Sequence, residues 1–435
     1  MTTLDVMRLS FLSLMLAACG AEPPQPAPDA PVQDLQSVND CTLEVIAPGP
    51  AIQTEPPVVA DPHEDVFGAA PEPYHVRLGW PSNDPSTGVG FLWRTDVDTL
   101  ATIVEYGPGE TLTERVEGGT YLYGGIAANE GPNRMHEVHL CDGLTPDTAY
   151  SYRVGGDGHW SETYTFTTPP APGTFDTFRI GFAGDSRGSY EVWGQVLAAM
   201  DARDVDFILF GGDMVDLGPM QDQWDDWFEA TGDVLARKAL VPAHGNHEYF
   251  ASHYFASFTL PGNEQWFHHK YGNLVLLSLN DTVLSAEHIT VDQPAYIDDT
   301  LKNSDAVWRF AYHHQSPYTI TTTHASNLNL REHWVPKFEA NGVQAVLNGH
   351  NHTYERSVPI RTGAEVAPGD GPIYIVSGGA GAPLYSSQAP DWFNVVANAV
   401  EHYIIIDIAE GEATFTAYDL SGNVLDTFGI PRPGR

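Results

Sequence analysis

Gly349-His350-Asn351-His352-Thr353-Tyr354-Glu355-Arg356 is the stretch on which the reading of this chain turns. Alone, two histidines at i, i+2 are weak evidence. On a strand they share one face, and a pair of satisfied surface or core histidines is the commoner outcome. Their weight comes from the series they close: Gly184-Asp185-Ser186-Arg187, Gly212-Asp213, Gly245-Asn246-His247-Glu248 and His313-His314. Each cluster ends an apolar run of strand length. Phe178 to Ala183 leads to Asp185, Val205 to Phe210 to Asp213, Leu240 to Ala243 to Asn246, Val307 to Tyr312 to the His pair, and Val343 to Leu347 to His350. In open α/β sheets ligands gather just beyond the carboxyl ends of strands. Clusters of Asp, Asn and His repeated at such ends predict one shared metal site.

The series resembles the calcineurin-like metallophosphoesterases. Within them it is most similar to the purple acid phosphatase branch, whose last motif reads His-x-His-x-Tyr-x-Arg. The resemblance runs over residues 72 to 428. It implies an α/β (α+β) two-sheet metallophosphoesterase sandwich flanked by helices, hydrolysing phosphate esters at a centre of two metal ions (Fe, Zn or Mn). Two cations roughly 3.5–4 Å apart lower the pKa of a bound water and clamp the phosphoryl oxygens. By position, the resemblance makes Asp213 the bridging carboxylate. Asp185 and His352 complete the first metal site. Asn246, His350 and one histidine of the His313-His314 pair complete the second. His314 is preferred, because His314-Gln315-Ser316-Pro317-Tyr318 places a tyrosine four residues on, as in the family's His-x-Pro-x-Tyr pattern; His313 is the fallback. His247 is implied to stabilise phosphoryl oxygens or protonate the leaving group, the bland alternative being a hydrogen bond to a carboxylate. Arg356 is expected to pair with a backbone group or a carboxylate and support the His loop. His324 either reaches substrate or is an ordinary surface histidine.

Two positions depart from the family. The branch carries a tyrosine three residues after the bridging Asp, as an iron ligand that gives the colour, and here that position is Asp216. Many other members place a histidine two residues after the first Asp, and here that position is Arg187. The first metal site therefore lacks both extra ligands; Asp216, water or substrate fills the gap, or the site binds metal weakly. No purple colour is expected. Arg187 either contacts the substrate phosphate, which suits a guanidinium, or forms a salt bridge to a neighbouring acid.

The chain has 435 residues and a formal net charge of −37, from 57 acidic against 20 basic residues. That balance argues against nucleic-acid binding, which depends on Lys and Arg contacts to phosphates. It fits a solvated acidic shell, and it leaves any positive field at the site to the metals. At the amino terminus Met7-Arg8 opens a short apolar run that Leu16-Ala17-Ala18-Cys19-Gly20 closes. The pattern resembles the bacterial lipobox and implies a membrane-anchored, exported lipoprotein (periplasmic or cell-surface) lipidated on Cys19. An ordinary secretory signal is the alternative, and the run is far short of the ~20 residues of a membrane span. The remaining cysteines, Cys41 and Cys141, are candidates for a disulfide in an oxidising compartment.

Residues 1–19 read as the signal and 20–71 as a Pro-rich tether. Residues 72–170 show short alternating strands with turn signals, which argues for a small β-sandwich. It resembles a fibronectin type III-like domain through Leu144-Thr145-Pro146-Asp147-Thr148-Ala149-Tyr150, in which the tyrosine reads as packing rather than catalysis. Residues 175–430 alternate strands with helical stretches at 191–203, 221–237 and 330–341. Gly378-Gly379-Ala380-Gly381-Ala382 reads as a close-packed turn near the site mouth, since no P-loop lysine follows. Asp391-Trp392-Phe393 lines a substrate rim or packs into the core. The leading expectation is a phosphomonoesterase. A phosphodiesterase with the same ligands is the runner-up, and a surface binding protein with a weakened metal site is the rival from another class.

Overall fold

A computed structural model of the chain describes residues 64–124, 131–302 and 304–434. The signal, Cys19, Cys41 and nearly all of the tether lie outside them. Cys141 is disulfide-bonded, so the part of the disulfide expectation that falls on described residues holds.

The first body is a β-sandwich. One sheet orders Tyr74–Gly79, Val89–Thr95, Asn133–Leu140 and Gly119–Tyr123; the other orders Glu114–Glu117, Ile103–Pro108, Ala149–Gly156 and His159–Trp160, with Tyr164–Thr167 also paired to Ala149–Gly156. Phe91, Trp93, Val104, Tyr152 and Val154 fill the space between them. Tyr150 stacks on Phe166, and its hydroxyl accepts the Thr145 backbone N–H at 2.9 Å. Its role is thus structural, as its sequence setting suggested.

The sandwich is not an independent bead. Leu78 N–H donates to the Leu235 carbonyl at 2.9 Å, the Tyr152 hydroxyl to the Ala236 carbonyl at 2.6 Å, and Arg77 Nε to the Ser257 carbonyl at 2.6 Å. The buried Arg77 guanidinium also lies 4.5 Å above the Phe228 ring. One continuous apolar core runs from Phe91 and Tyr152 through Phe207 to Ile406.

The second body packs two sheets face to face. The six-stranded sheet orders Leu240–Pro242, Phe207–Phe210, Phe178–Ala183, His402–Ile408, Glu412–Asp419 and Val424–Pro431. The seven-stranded sheet orders Phe267–Tyr271, Leu274–Ser278, Trp308–His313, Ala345–Asn348, Ile373–Ser377, Tyr354–Ser357 and Asn394–Asn398. Side chains alternate along a strand, and the burial follows that rule. Leu274 and Leu276 join the core between the sheets, where Phe310 meets Phe415 at 5.6 Å, whereas Val275 and Leu277 pack outward. Outside, Gln293–Lys302, Leu328–His333 and Val335–Ala340 cover the seven-stranded sheet. Trp193 of Tyr190–Asp201 meets Phe210 at 5.0 Å on the six-stranded sheet, and Trp227 of Gln221–Glu229 stacks behind it.

Two expected helices differ in extent. The one beginning at Gln221 ends at Glu229 rather than near Arg237, because Thr231 turns its hydroxyl back to the Phe228 carbonyl and Gly232 adopts φ +51°. The one expected over 330–341 is two helices meeting at Trp334. Pro336 has no N–H to donate and crowds the carbonyl four residues earlier, which breaks the run.

Candidate metal centre

Strands Phe178–Ala183, Phe207–Phe210 and Leu240–Pro242 run parallel in one sheet, and Trp308–His313 and Ala345–Asn348 run parallel in the other. Their carboxyl ends face one edge of the sandwich and deliver Asp185, Asp213, Asn246, His314 and His350 there. Asp185, Asp213 and His350 all take left-handed backbone, with φ of 60°, 58° and 66°. Such geometry is uncommon for non-glycine residues and is held only where the surroundings over-determine it. Two glycines let the loops approach. A Cβ on Gly245 would lie 2.3 Å from Asp213 N, and one on Gly349 would lie 2.5 Å from Asp185 Oδ2.

The polar atoms converge on one point. His314 Nδ1 is 2.7 Å from the Gly211 carbonyl, which can only accept, so Nδ1 carries a proton and Nε2 turns inward. That Nε2 lies 3.0 Å from Asn246 Oδ1, 3.3 Å from Asp213 Oδ1 and 3.2 Å from His350 Nδ1. The donor atoms of Asp213, His314 and His350 all fall within 4.8 Å of one another. Such a cluster is stable only around positive charge. Burial pushes the His314 imidazole down, but the Asp213 carboxylate outweighs it and lifts the ring to about 10. Asp213 shifts oppositely: burial raises it, and the charge of His314 pulls it below the usual carboxylate range.

A second half-site lies beside the first. His352 Nδ1 donates to the Pro383 carbonyl at 2.7 Å, which leaves Nε2 facing Asp185 Oδ1 at 3.5 Å. Asp185 is fully buried. Its Oδ2 accepts the His350 N–H at 2.8 Å, but Oδ1 has no hydrogen-bond partner. Asp213 turns Oδ1 toward His314 and Oδ2 toward Arg187 at 3.5 Å and His247 Nε2 at 3.9 Å. Histidine oriented by a carbonyl, a bare carboxylate oxygen and an amide oxygen make a donor set suited to borderline cations.

The other named residues separate clearly. His313 points away from the centre: Nδ1 pairs with the buried Asp281 at 2.8 Å and the ring packs on Trp334, so the fallback ligand is a core residue. His247 donates from Nδ1 to the Asp216 carbonyl at 2.7 Å and holds Nε2 on the Asp213 side of the rim. His324 lies against His350 with the two rings tilted, centroids 4.2 Å apart. Arg187 pairs with Asp216, Nη1 lying 3.0 Å from Oδ1. Arg356 pairs with Asp426 through Nε at 2.5 Å and Nη2 at 3.1 Å, and Tyr354 donates to the same carboxylate at 2.8 Å. The glycine-rich turn packs on the first ligand loop, Ala380 N–H bonding the Gly184 carbonyl and Ala382 N–H the Asp185 carbonyl. Phe393 is core and Trp392 is exposed.

Two residues had no role in the sequence reading. Glu248 is buried and accepts N–H groups from Gly245 at 2.6 Å, Asp213 at 3.0 Å and Met214 at 2.8 Å, pinning two ligand loops together; burial, then Asp213, pushes its carboxyl up to about 7. It stands in the quoted Gly245-Asn246-His247-Glu248 cluster, so the signal was present. Tyr385 stacks on His352 at 4.0 Å, with its hydroxyl 3.4 Å from His324 Nε2. No local pattern marks it.

Residues 73–168 match the family model for the purple acid phosphatase N-terminal domain, and residues 178–354 match that for calcineurin-like phosphoesterases. The chain belongs to the calcineurin-like phosphoesterase family, in its purple acid phosphatase branch. An uncharacterised Mycobacterium tuberculosis protein is 28% identical over 274 residues, covering 52% of this chain and 51% of the relative. The match thus spans about half of that relative's length. Purple acid phosphatase 18 of Arabidopsis thaliana is 25% identical over 343 residues, covering 73% of this chain and 72% of the relative. A purple acid phosphatase from yellow lupin seeds shares the fold, with a TM-score of 0.73 at 20% identity over 83% of this chain and 75% of that one. The family's fold implies a dinuclear centre, and the donor atoms of Asp213, His314 and His350 fit the holding of a metal ion.

Proposed function

We propose that this chain is an exported, lipid-anchored phosphoesterase with two metal ions that hydrolyses phosphomonoesters. One observation carries the reading: Asp213 Oδ1, Asn246 Oδ1 and His350 Nδ1 all lie within 3.3 Å of His314 Nε2, so ligand-type atoms from four separate loops converge on one point. Those residues would hold one ion, and Asp185, His352 and Asp213 the other. Bound there, the ions supply an acidified water and neutralise charge on the phosphoryl group.

The chain's own groups do the positioning. Carbonyls of Gly211 and Pro383 fix the tautomers of His314 and His352, so neither ring turns when an ion or substrate arrives. Glu248 holds the Asp213 and Asn246 loops in register. His247 presents Nε2 to the space beside Asp213 Oδ2, where it hydrogen-bonds a phosphoryl oxygen or, protonated, gives a proton to the leaving oxygen. His324 and Tyr385 border the mouth beside the ligands His350 and His352. With Asp216 turned to Arg187 and no tyrosine at that position, the loaded protein should be colourless.

The test is elemental analysis of the isolated full chain beside assays with matched aryl mono- and diesters. Two ions and faster monoester turnover are expected, with metal and activity lost together in Asp213→Ala and His350→Ala. Unchanged activity in both variants would sink the site, and faster diester turnover would reverse the substrate order. Among the described residues no helix is long and apolar enough to cross a membrane. Anchoring therefore rests on Cys19, outside those residues. Cys19→Ser should abolish incorporation of labelled fatty acid, and retained label would overturn the anchor.

A further inference from the structure

Arg187 stands where the metal centre lacks its extra ligands, and three observations define what it does there. Its Nε lies 3.5 Å from Asp213 Oδ2, the oxygen of the bridging carboxylate that faces away from His314. That Nε is buried and has no hydrogen-bond partner, although it is a donor that is always protonated. The rest of the guanidinium is held through Nη1, 3.0 Å from Asp216 Oδ1. A permanent positive charge is therefore built into the wall of one half-site.

The two half-sites are unequal in consequence. The first offers Asp213 Oδ1, Asn246 Oδ1, His314 Nε2 and His350 Nδ1, and among the described residues no arginine or lysine faces it. The second offers Asp185 Oδ1 and His352 Nε2, and under the proposed bridging role it takes Asp213 Oδ2, the oxygen that faces Arg187. A cation bonded to that oxygen sits beside a guanidinium in a poorly solvated pocket, where like charges repel strongly. A phosphoryl dianion changes the balance, because its oxygens pair with the free Nε while bonding the cation.

We infer that the two half-sites fill in sequence: one divalent ion binds tightly to Asp213, Asn246, His314 and His350, and the second binds weakly at Asp185, His352 and Asp213 until a phosphoryl group engages Arg187. This rests on the proposed function and adds to it an order of loading, with substrate-class anion and second ion binding cooperatively. Linkage then requires that the ion tighten the anion by the same factor.

The test uses the full chain, freed of metal by a chelator and titrated with Mn²⁺ by calorimetry, with bound metal counted by elemental analysis. Two steps are expected, the second weaker by at least ~10-fold, and inorganic phosphate should tighten only the second. Arg187→Gln should tighten the second step in the absence of phosphate and remove most of the phosphate effect. Arg187→Lys, which keeps the charge, should preserve the gap. The first step, unchanged in both variants, reports that each has folded. Two equal steps in the wild-type chain would overturn the inference, as would a second step that Arg187→Gln leaves in place or weakens. Those outcomes leave the metal centre standing. A wild-type chain that binds no Mn²⁺ at all would instead overturn the proposed function together with the order of loading.

Discussion

At the scale of single residues, the groups that matter most are those whose partners are all of one kind. Glu248 is an acceptor surrounded by backbone donors, three of them, from two loops that each carry a ligand. Glu248→Gln keeps the shape but aims an amide N–H at at least one of those donors. Stability should fall by about 2 kcal/mol, the cost of a buried unsatisfied polar contact, and metal affinity by ~10–100-fold, as for other groups that orient ligands. Denaturant titration of the chelated protein and calorimetry of the refolded one separate the two effects. His313 is the converse case. Although adjacent to a ligand, it is satisfied by Asp281 and walled by Trp334. His313→Ala should destabilise the fold while leaving the stoichiometry of bound metal unchanged.

At the scale of elements, what the sequence disclosed follows from what is local. Strands Phe178–Ala183 and Phe207–Phe210 are mostly apolar runs that end in a ligand cluster, so both element and site could be read within a dozen residues. The preference for His314 over His313 came from the family's pattern laid over the next four residues. Tyr385 was illegible because its contacts, to His352 and His324, come from segments far from it in the chain. The salt bridge of Arg187 was legible only as one of two options, since Asp216 is a neighbour in space and not in sequence. The early end of the helix at Glu229 depended on a hydroxyl turned back to a carbonyl, a choice made by packing around Phe228. In the sandwich, the Tyr150 hydroxyl ties one strand to the turn before it. Tyr150→Phe should cost about 1 kcal/mol, one net hydrogen bond, with no change in turnover; a melting curve beside an assay checks both.

At the scale of the whole molecule, the shared core between sandwich and catalytic body predicts one cooperative unfolding transition, so probes placed in the two bodies should report the same midpoint. The buried histidines set its pH dependence. His136 stacks on Trp93 between Thr95 and Thr102, and burial, helped by Arg134, pushes it down to about 3. Unfolded, it protonates near 6.5, so from that pH down to about 3 the unfolded chain holds the extra proton and stability falls with pH. The slope is ~1.4 kcal/mol per pH unit for each such group, or about 2 kcal/mol between pH 7 and 5. Unfolding of the metal-free chain at those two pH values should show His136→Asn losing one proton's worth of that slope. The brace at Asp426 has a consequence of another kind. Tyr354 and Arg356, which flank the loop bearing His350 and His352, are fastened to a strand of the opposite sheet that is made long after the Asp185 loop. All six donors therefore emerge from synthesis before the strand that braces the last of their loops, and that loop is steadied only once the chain is nearly complete.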